Sequence, residues 1–315
     1  MHTQRQVRLG VLFASITALL WGQLPIALKV ALAFSSAATV VWFRFAFAFA
    51  GLFLLLSWRN STQLRRTLRA PPPLALLAGI FLGANYLGYM QGVHFTSPSV
   101  TQLLIQTGPM ALVAAGVIFF KERLSSMQGV GIVVAIAGLA LFYRDQLGGA
   151  LKAASINIGI LWIAFSAAAW ATFAALQKHL GRTLPPQQIN LIVYGTAATA
   201  FFPAVRWAEL RGLTPGQWGL LVFLGLNTLV AYGTLGEALK LAPTGKVSIV
   251  LMLNPIITLA FMHVLHACDV SWAPAEHVTQ LGWLGALIVV TGAMMVVSRK
   301  QEKVQSHAEL PAKTA

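Results

Sequence analysis

Two ionisable residues lie inside long apolar runs, Arg44 within AATVVWFRFAFAFAGLF and Glu237 within LVAYGTLGEALK. A charge held in hydrocarbon is costly, so such residues pair with a partner, face a water-filled cavity, or mark a route for substrate or protons. Arg44 lies about two helical turns from one end of its run. There its stem either snorkels to the interface or presents the guanidinium to a cavity. In the second case it suits a carboxylate-bearing or zwitterionic ligand, because the planar fork grips a carboxylate through two hydrogen bonds. Glu237 is the candidate proton-coupling residue, and the competing reading is an i,i+3 ion pair with Lys240 at a helix end.

Uncharged polar side chains form the next set. Gln102, Gln106 and Pro109 fall along one side of a helix, as do Ser248, Met252 and Pro255 further on, and these two sides are expected to face each other. Asn254 adjoins the second. Asn85 and Tyr89 share a face, and Asn227 echoes Asn85. In lipid such amides serve equally well as interhelical hydrogen bonds, so substrate contact and helix packing both stand. Trp21 and Trp170 lie well inside their runs, away from an interfacial aromatic belt. They act either as apolar walls of a binding site or as fillers between helices. Gln23 joins the candidate binding set beside Trp21. His263, His266, Cys268, Asp269, Glu276 and His277 crowd around the end of one run. A metal site or a pH sensor is one reading of this cluster, but its spacing fits no established ligand frame, so the interfacial, solvated reading is preferred. No metal or cofactor is expected.

The elements that must position these residues follow from composition. Of 315 residues, 57% are hydrophobic and 10% charged, and the mean hydropathy is +0.73. A water-soluble domain would expose too much apolar surface, so the chain is expected to be an all-α integral membrane protein. Spans need about 20 residues each, and ten runs qualify: 10–28, 37–58, 74–94, 100–120, 126–143, 156–176, 189–205, 218–239, 247–266 and 278–297. The first reads as a membrane helix rather than a cleaved leader. The single cysteine rules out an internal disulfide framework. The net charge of +14 is spread over the ends of apolar runs, which argues against a nucleic-acid partner and for topology signals. With the N-terminus inside, sixteen of the 22 Lys and Arg fall on the inner side and five on the outer, with Arg44 in a span. Both termini are therefore expected in the cytoplasm.

The chain also repeats itself. Pro98, Pro109 and Ser125 are answered by Pro243, Pro255 and Ser271, and Gln128, Gly131 and Gly138 by Gly282, Gly285 and Gly292. Trp21 precedes Lys29 by eight residues, as Trp170 precedes Lys178. The segments Phe81-Leu82-Gly83-Ala84-Asn85 and Phe223-Leu224-Gly225-Leu226-Asn227 match more weakly. An odd repeat of five spans reverses the second copy in the membrane, giving two inverted five-helix repeats. Consistent with that, the inner turn Glu122-Arg123-Leu124-Ser125 becomes Cys268-Asp269-Val270-Ser271 outside, its cationic position now acidic. The expected division is 1–150, 151–298 and a disordered cytoplasmic tail 299–315.

Leu20-Trp21-Gly22 with Lys29, Arg44-Phe45, Pro109, Lys121-Glu122-Arg123-Leu124-Ser125 with Gln128, Gly131 and Gly138, and Pro255 with Gly285 and Gly292 together resemble the EamA-type drug/metabolite transporter superfamily. The resemblance covers nearly the whole chain. It implies alternating access about a cavity between the halves, in the cytoplasmic (inner) membrane. The implied activity is export of amino acids, other small metabolites or drugs. Import or exchange of a carboxylate-bearing metabolite is the alternative reading, and a channel or a structural subunit of a membrane complex is the rival of another class. The partners expected are a small-molecule substrate and the lipid bilayer, with monomer and homodimer both open. An enzyme is not expected, since no His-Glu-x-x-His, Gly-x-Ser-x-Gly or intramembrane carboxylate pair is present. The second copy departs from the pattern at His266-Ala267-Cys268-Asp269, ahead of a longer loop to Glu276.

Overall fold

The computed structural model describes residues 3–108, 125–146, 150–242, 244–274, 276 and 278–297. Pro109, the turn residues 121–124, Pro243, His277 and the tail 299–315 lie outside these. Among the described residues all regular structure is helical. That is what hydrocarbon demands, because a helix satisfies its backbone N–H and C=O groups internally. In chain order the helices are α1 (Gln4–Ala31), α2 (Ala37–Arg69), α3 (Pro73–Phe95), α4 (Pro98–Leu104), α5 (Ser126–Gln146), α6 (Ala150–Leu180), α7 (Pro186–Phe201), α8 (Trp207–Arg211), α9 (Pro215–Leu241), α10 (Thr244–Leu251), α11 (Asn254–Ala267) and α12 (Gln280–Val297).

Their starts follow local chemistry. Thr3 and Gln6 form a reciprocal capping box on α1, as do Thr214 and Gln217 on α9. Ser97 caps α4, with Pro98 at the first helical position, where its missing N–H costs nothing. At the far end of α11, Asp269 takes φ 49°, a left-handed exit that a short acidic side chain tolerates. Among the described residues seven helical segments are long and apolar enough to cross a membrane. Apolar side chains also cover the outward faces: Leu54, Val133 and Leu161 are exposed, as lipid-facing residues should be. The helix α7 has 16 residues, and the fourth apolar run is described only as far as residue 108.

Two helices break where the sequence reading had continuous spans. The first stops at Leu104, with Ile105 as its cap; the second stops at Leu251, with a turn at Met252 and Leu253 before α11. Proline explains both. Pro109 and Pro255 stand four residues after Ile105 and Leu251 in the sequence, and a proline has no N–H to donate to the carbonyl four residues before it.

Packing pairs α1 with α9, α3 with α6, α2 with α7 and α9, and α5 with α12; α1 also touches α4, α10 and α11. The α5–α12 seam is a backbone-on-backbone contact. A Cβ added at Gly138 would sit 2.6 Å from the Val289 nitrogen, and one at Gly292 would sit 2.4 Å from the Ala135 nitrogen. Small residues permit this approach where no hydrophobic effect drives helices together. The largest core cluster draws Leu28, Phe45, Leu82, Phe173, Tyr194 and Leu224 from six helices.

Candidate functional site

The buried stripe of α2 contains Val40, Val41, Phe45, Ala48 and Leu52, and Arg44 lies within it at 2% exposure. Helical spacing therefore carries the cation inward rather than to the interface. Its Nε donates to the Thr228 Oγ1 at 3.1 Å, and its guanidinium carbon lies 4.3 Å from the centre of the Tyr86 ring. The phenols of Tyr86, Tyr232 and Tyr89 are in electrostatic reach. Tyr86 and Tyr89 are three apart on α3, and Thr228 and Tyr232 four apart on α9, so each pair shares one helix face. Among the described residues no carboxylate forms an ion pair with Arg44.

An aromatic wall surrounds this charge. Tyr86 lies 4.4 Å from Phe45, Tyr194 lies 6.3 Å from Tyr232, and Trp21 meets Tyr232 edge-on at 5.5 Å. The Tyr89 hydroxyl donates to the Gln102 Oε1, and the Gln102 Nε2 reaches the Trp21 carbonyl at 3.4 Å. Pro25, inside α1, deprives that same carbonyl of its i+4 donor, so Gln102 supplies a replacement. At the next residue the Thr258 hydroxyl donates to the Gly22 carbonyl. Arg44, Tyr89, Gln102 and Trp21 are thus brought into one continuous arrangement, closed by Tyr86 and Tyr232.

Other candidates are placed elsewhere. The Asn85 Nδ2 donates to the Ser166 carbonyl at 3.0 Å and to its hydroxyl at 2.8 Å, and that hydroxyl donates to the Asn85 carbonyl at 2.9 Å. This amide ties α3 to α6. The Asn227 Nδ2 donates to the Leu20 carbonyl at 2.7 Å, tying α9 to α1, while its Oδ1 stays unpartnered, as does that of Asn254. Gln106 and Met252 are buried at the two helix breaks. Gln23 is half-buried on α1. Trp170 packs against the α-carbon face of Gly108. Glu237 sits near the end of α9 with its side chain 43% exposed, and the Lys240 Nζ lies 2.6 Å from its Oε1. That is the helix-end ion pair. Glu237→Gln is accordingly expected to leave the pH profile of transport unchanged, with at most about 0.5 kcal/mol lost from stability. A lost acid limb in a flux assay would return Glu237 to the mechanism.

Sequence reasoning missed Tyr86, Tyr194, Tyr232 and Thr228. A signal was present: all five tyrosines in the chain lie in the ten apolar runs, where each phenol needs a polar partner or a cavity. It also misplaced Glu276. Instead of a solvated cluster, Glu276 is 7% exposed and takes hydrogen bonds from the Ser97 hydroxyl and from the Ser99 N–H at 3.3 Å.

Comparison with known proteins places this geometry in a family. The EamA-like transporter family matches twice, over residues 8–144 and 157–298. The chain belongs to the EamA-like transporter family. An uncharacterized transporter of Haemophilus influenzae is 32% identical over 93% of this chain and 95% of its own length. The uncharacterized inner membrane transporter YhbE of Escherichia coli K12 is 33% identical over 92% of each chain. A probable amino-acid metabolite efflux pump of the same strain is 24% identical over 71% of this chain and 77% of its own. A crystal structure at 18% identity superposes with a TM-score of 0.62 over 91% of this chain and 96% of that one, a likeness of fold. This EamA-like protein is a multi-pass membrane transporter of a small molecule rather than an enzyme.

Proposed function

We propose that the protein is a secondary carrier that exports amino acids or similar carboxylate-bearing metabolites across the cytoplasmic membrane by alternating access. The observation that carries this reading is Arg44, a buried cation with the phenols of Tyr86, Tyr232 and Tyr89 in electrostatic reach and no carboxylate of the described residues paired to it. A substrate carboxylate supplies the missing partner, held by the guanidinium fork, while Trp21, Tyr86 and Tyr232 give the rest of the molecule an apolar wall.

The carrier architecture proposed is ten spans in two inverted five-helix repeats, 1–150 and 151–298, with both termini and the tail 299–315 in the cytoplasm. Three observations support it. Exchanging the two halves turns the α1–α9 contact into α6–α3, the pair also present. The helix breaks fall at matching positions before Pro109 and Pro255, and discontinuous helices mark substrate sites in inverted-repeat carriers. The family pattern also occurs twice. Export, rather than import or exchange, is supported by the related probable efflux pump, and the inner membrane by the printed name of YhbE.

Counterflow in proteoliposomes tests the reading, with labelled amino acids, organic acids and lipophilic cations as the panel. Saturable exchange confined to carboxylate compounds is the expected result. Exchange of lipophilic cations alone would overturn the substrate class, and non-saturable flux would point to a channel.

A further inference from the structure

Helix α2 runs past the end of its own membrane span. The apolar part closes at Arg59, whereas the helix continues ten residues further, to Arg69, a rise of about 15 Å. It stops there because Pro71 follows: the residue before a proline is pushed out of the α region, and Ala70 sits at φ −141° and ψ 70°. The extension stays attached to the protein through one side. Leu64 is buried in the largest core cluster, and Thr67, three residues on, is buried beside it.

The opposite side is open and changes character along its length. Leu54, Trp58, Ser61, Thr62, Arg65 and Arg69 are all exposed and, at 3.6 residues per turn, fall on one stripe about 100° wide. An apolar side chain within the span gives way to an indole at its end, then to two hydroxyls, then to two guanidinium groups. Trp58 is 86% exposed, at the level where an aromatic ring with a polar N–H marks the boundary between hydrocarbon and headgroups. The headgroup layer is about 5–8 Å deep on each side of a bilayer. Ser61 and Thr62, about 3 and 5 Å past Arg59 along the axis, lie within it, and the Arg65 side chain is long enough to reach back to it.

Ser61, Thr62, Arg65, Arg69 and Ala70 line a cavity of about 430 Å³. Arg65 is 21 residues beyond Arg44 on the same helix, about 30 Å from the site described above. Among the described residues neither Arg65 nor Arg69 forms an ion pair, and the sequence has no Asp or Glu before Glu122. The cavity is therefore cationic and rich in donors.

We propose that this cavity binds the headgroup of an anionic phospholipid, with the phosphate held by Arg65, Arg69 and the Ser61 and Thr62 hydroxyls and the acyl chains laid along Trp58 and Leu54. Guanidinium forks take phosphate oxygens two at a time, and the hydroxyls add further donors. A lipid fits better than a soluble anion because the stripe runs on without a break into lipid-facing surface, of which a free phosphate uses only the polar end. Cations at this end of a helix also set topology and complement the helix dipole. Those roles need charge alone, and lysine serves them equally well.

The test is to titrate delipidated full-length protein in neutral detergent with phosphatidylglycerol or phosphatidylcholine and to count bound lipids by native mass spectrometry. The wild type should take its first phosphatidylglycerol about 30-fold more tightly than phosphatidylcholine, the effect of two cations at a lipid headgroup. Arg65→Gln/Arg69→Gln should erase that preference. Arg65→Lys/Arg69→Lys, which keeps the charge, should cut it to about fivefold, because an ammonium lacks the fork. Arg5→Gln/Arg8→Gln removes two exposed charges from the start of α1 and should leave the preference unchanged. Glycerol phosphate, a headgroup without chains, should not displace the lipid. Equal affinity for the two lipids in the wild type would overturn the proposal. So would a full preference in the lysine variant or an equal loss in Arg5→Gln/Arg8→Gln, either of which means diffuse charge. Displacement by glycerol phosphate would make this a soluble-anion site, and a dimer that excludes lipid from this face would give it another occupant; each overturns the proposal as well. The readout needs no substrate, so it stands apart from the success or failure of the carrier reading.

Discussion

Replacing Arg44 by methionine is expected to abolish exchange of a carboxylate substrate while leaving the empty protein at least as stable as the wild type. Both halves of that result follow from the surroundings of the guanidinium. It is 2% exposed, with one hydrogen bond to Thr228 and one aromatic face at Tyr86. These contacts return part of the cost of burying a charge; a cation over a ring contributes about 0.5–2 kcal/mol. An apolar side chain of similar length removes the desolvation cost altogether, and such replacements of buried charge are often neutral or stabilising. Binding behaves in the opposite way. Loss of one partner of a buried hydrogen-bonded charge pair costs about 2–5 kcal/mol, or roughly 30- to 4,000-fold in affinity. Arg44→Lys should fall between, because an ammonium offers a point charge but not a two-pronged grip. Thermal unfolding in detergent and counterflow in proteoliposomes read the two quantities separately. A variant that loses stability and exchange together would make Arg44 a structural cation holding α2 against α3 and α9.

The second large effect is structural. Gly292→Val should cost about 3 kcal/mol, at the upper end of what overpacking usually exacts. The added atoms meet the Ala135 nitrogen at 2.4 Å and the Gly131 carbonyl oxygen at 2.6 Å, and backbone cannot step aside as a flexible side chain does. The expected outcome is a sharp fall in monodisperse protein on size-exclusion chromatography, with a lowered melting temperature. Gly129, on the same α5 helix, has nothing within 4 Å of an added Cβ. Gly129→Ala should be neutral or slightly stabilising through its better helix propensity. Equal behaviour of the two variants would mean that α5 and α12 do not meet backbone to backbone.

How far the sequence foretold this depends on the range of the interaction concerned. Apolar runs are local, so helices were legible to within a few residues: the first run, 10–28, lies inside α1, Gln4–Ala31. Arg44 was legible because a lone charge among apolar residues is anomalous at sight. Its rotation toward the core, away from the interface, depends on which face α2 buries, and both readings were open until α3 and α9 were in place. The amides illustrate the same limit. Asn85 and Ser166 are 81 residues apart, and nothing near either one distinguishes packing from recognition. Glu276 was misread because its neighbours in sequence are polar; its burial comes from α4, 179 residues away at Ser97. The helix breaks were foreseeable in principle, since each stands four residues before a proline, but an apolar run looks continuous when only hydropathy is counted.

On the proposed carrier reading, Arg44, which has no carboxylate partner among the described residues, also sets which form of the protein feels the membrane potential. With its substrate site empty, the centre carries a full positive charge; with a monocarboxylate bound, that charge is cancelled. Each elementary charge displaced across the membrane is worth about 2.3 kcal/mol per 100 mV. Voltage therefore acts on the empty return step and hardly at all on the step that moves a monocarboxylate. On that reading net efflux of such a substrate is expected to generate current, and one-for-one exchange is expected to be electrically silent.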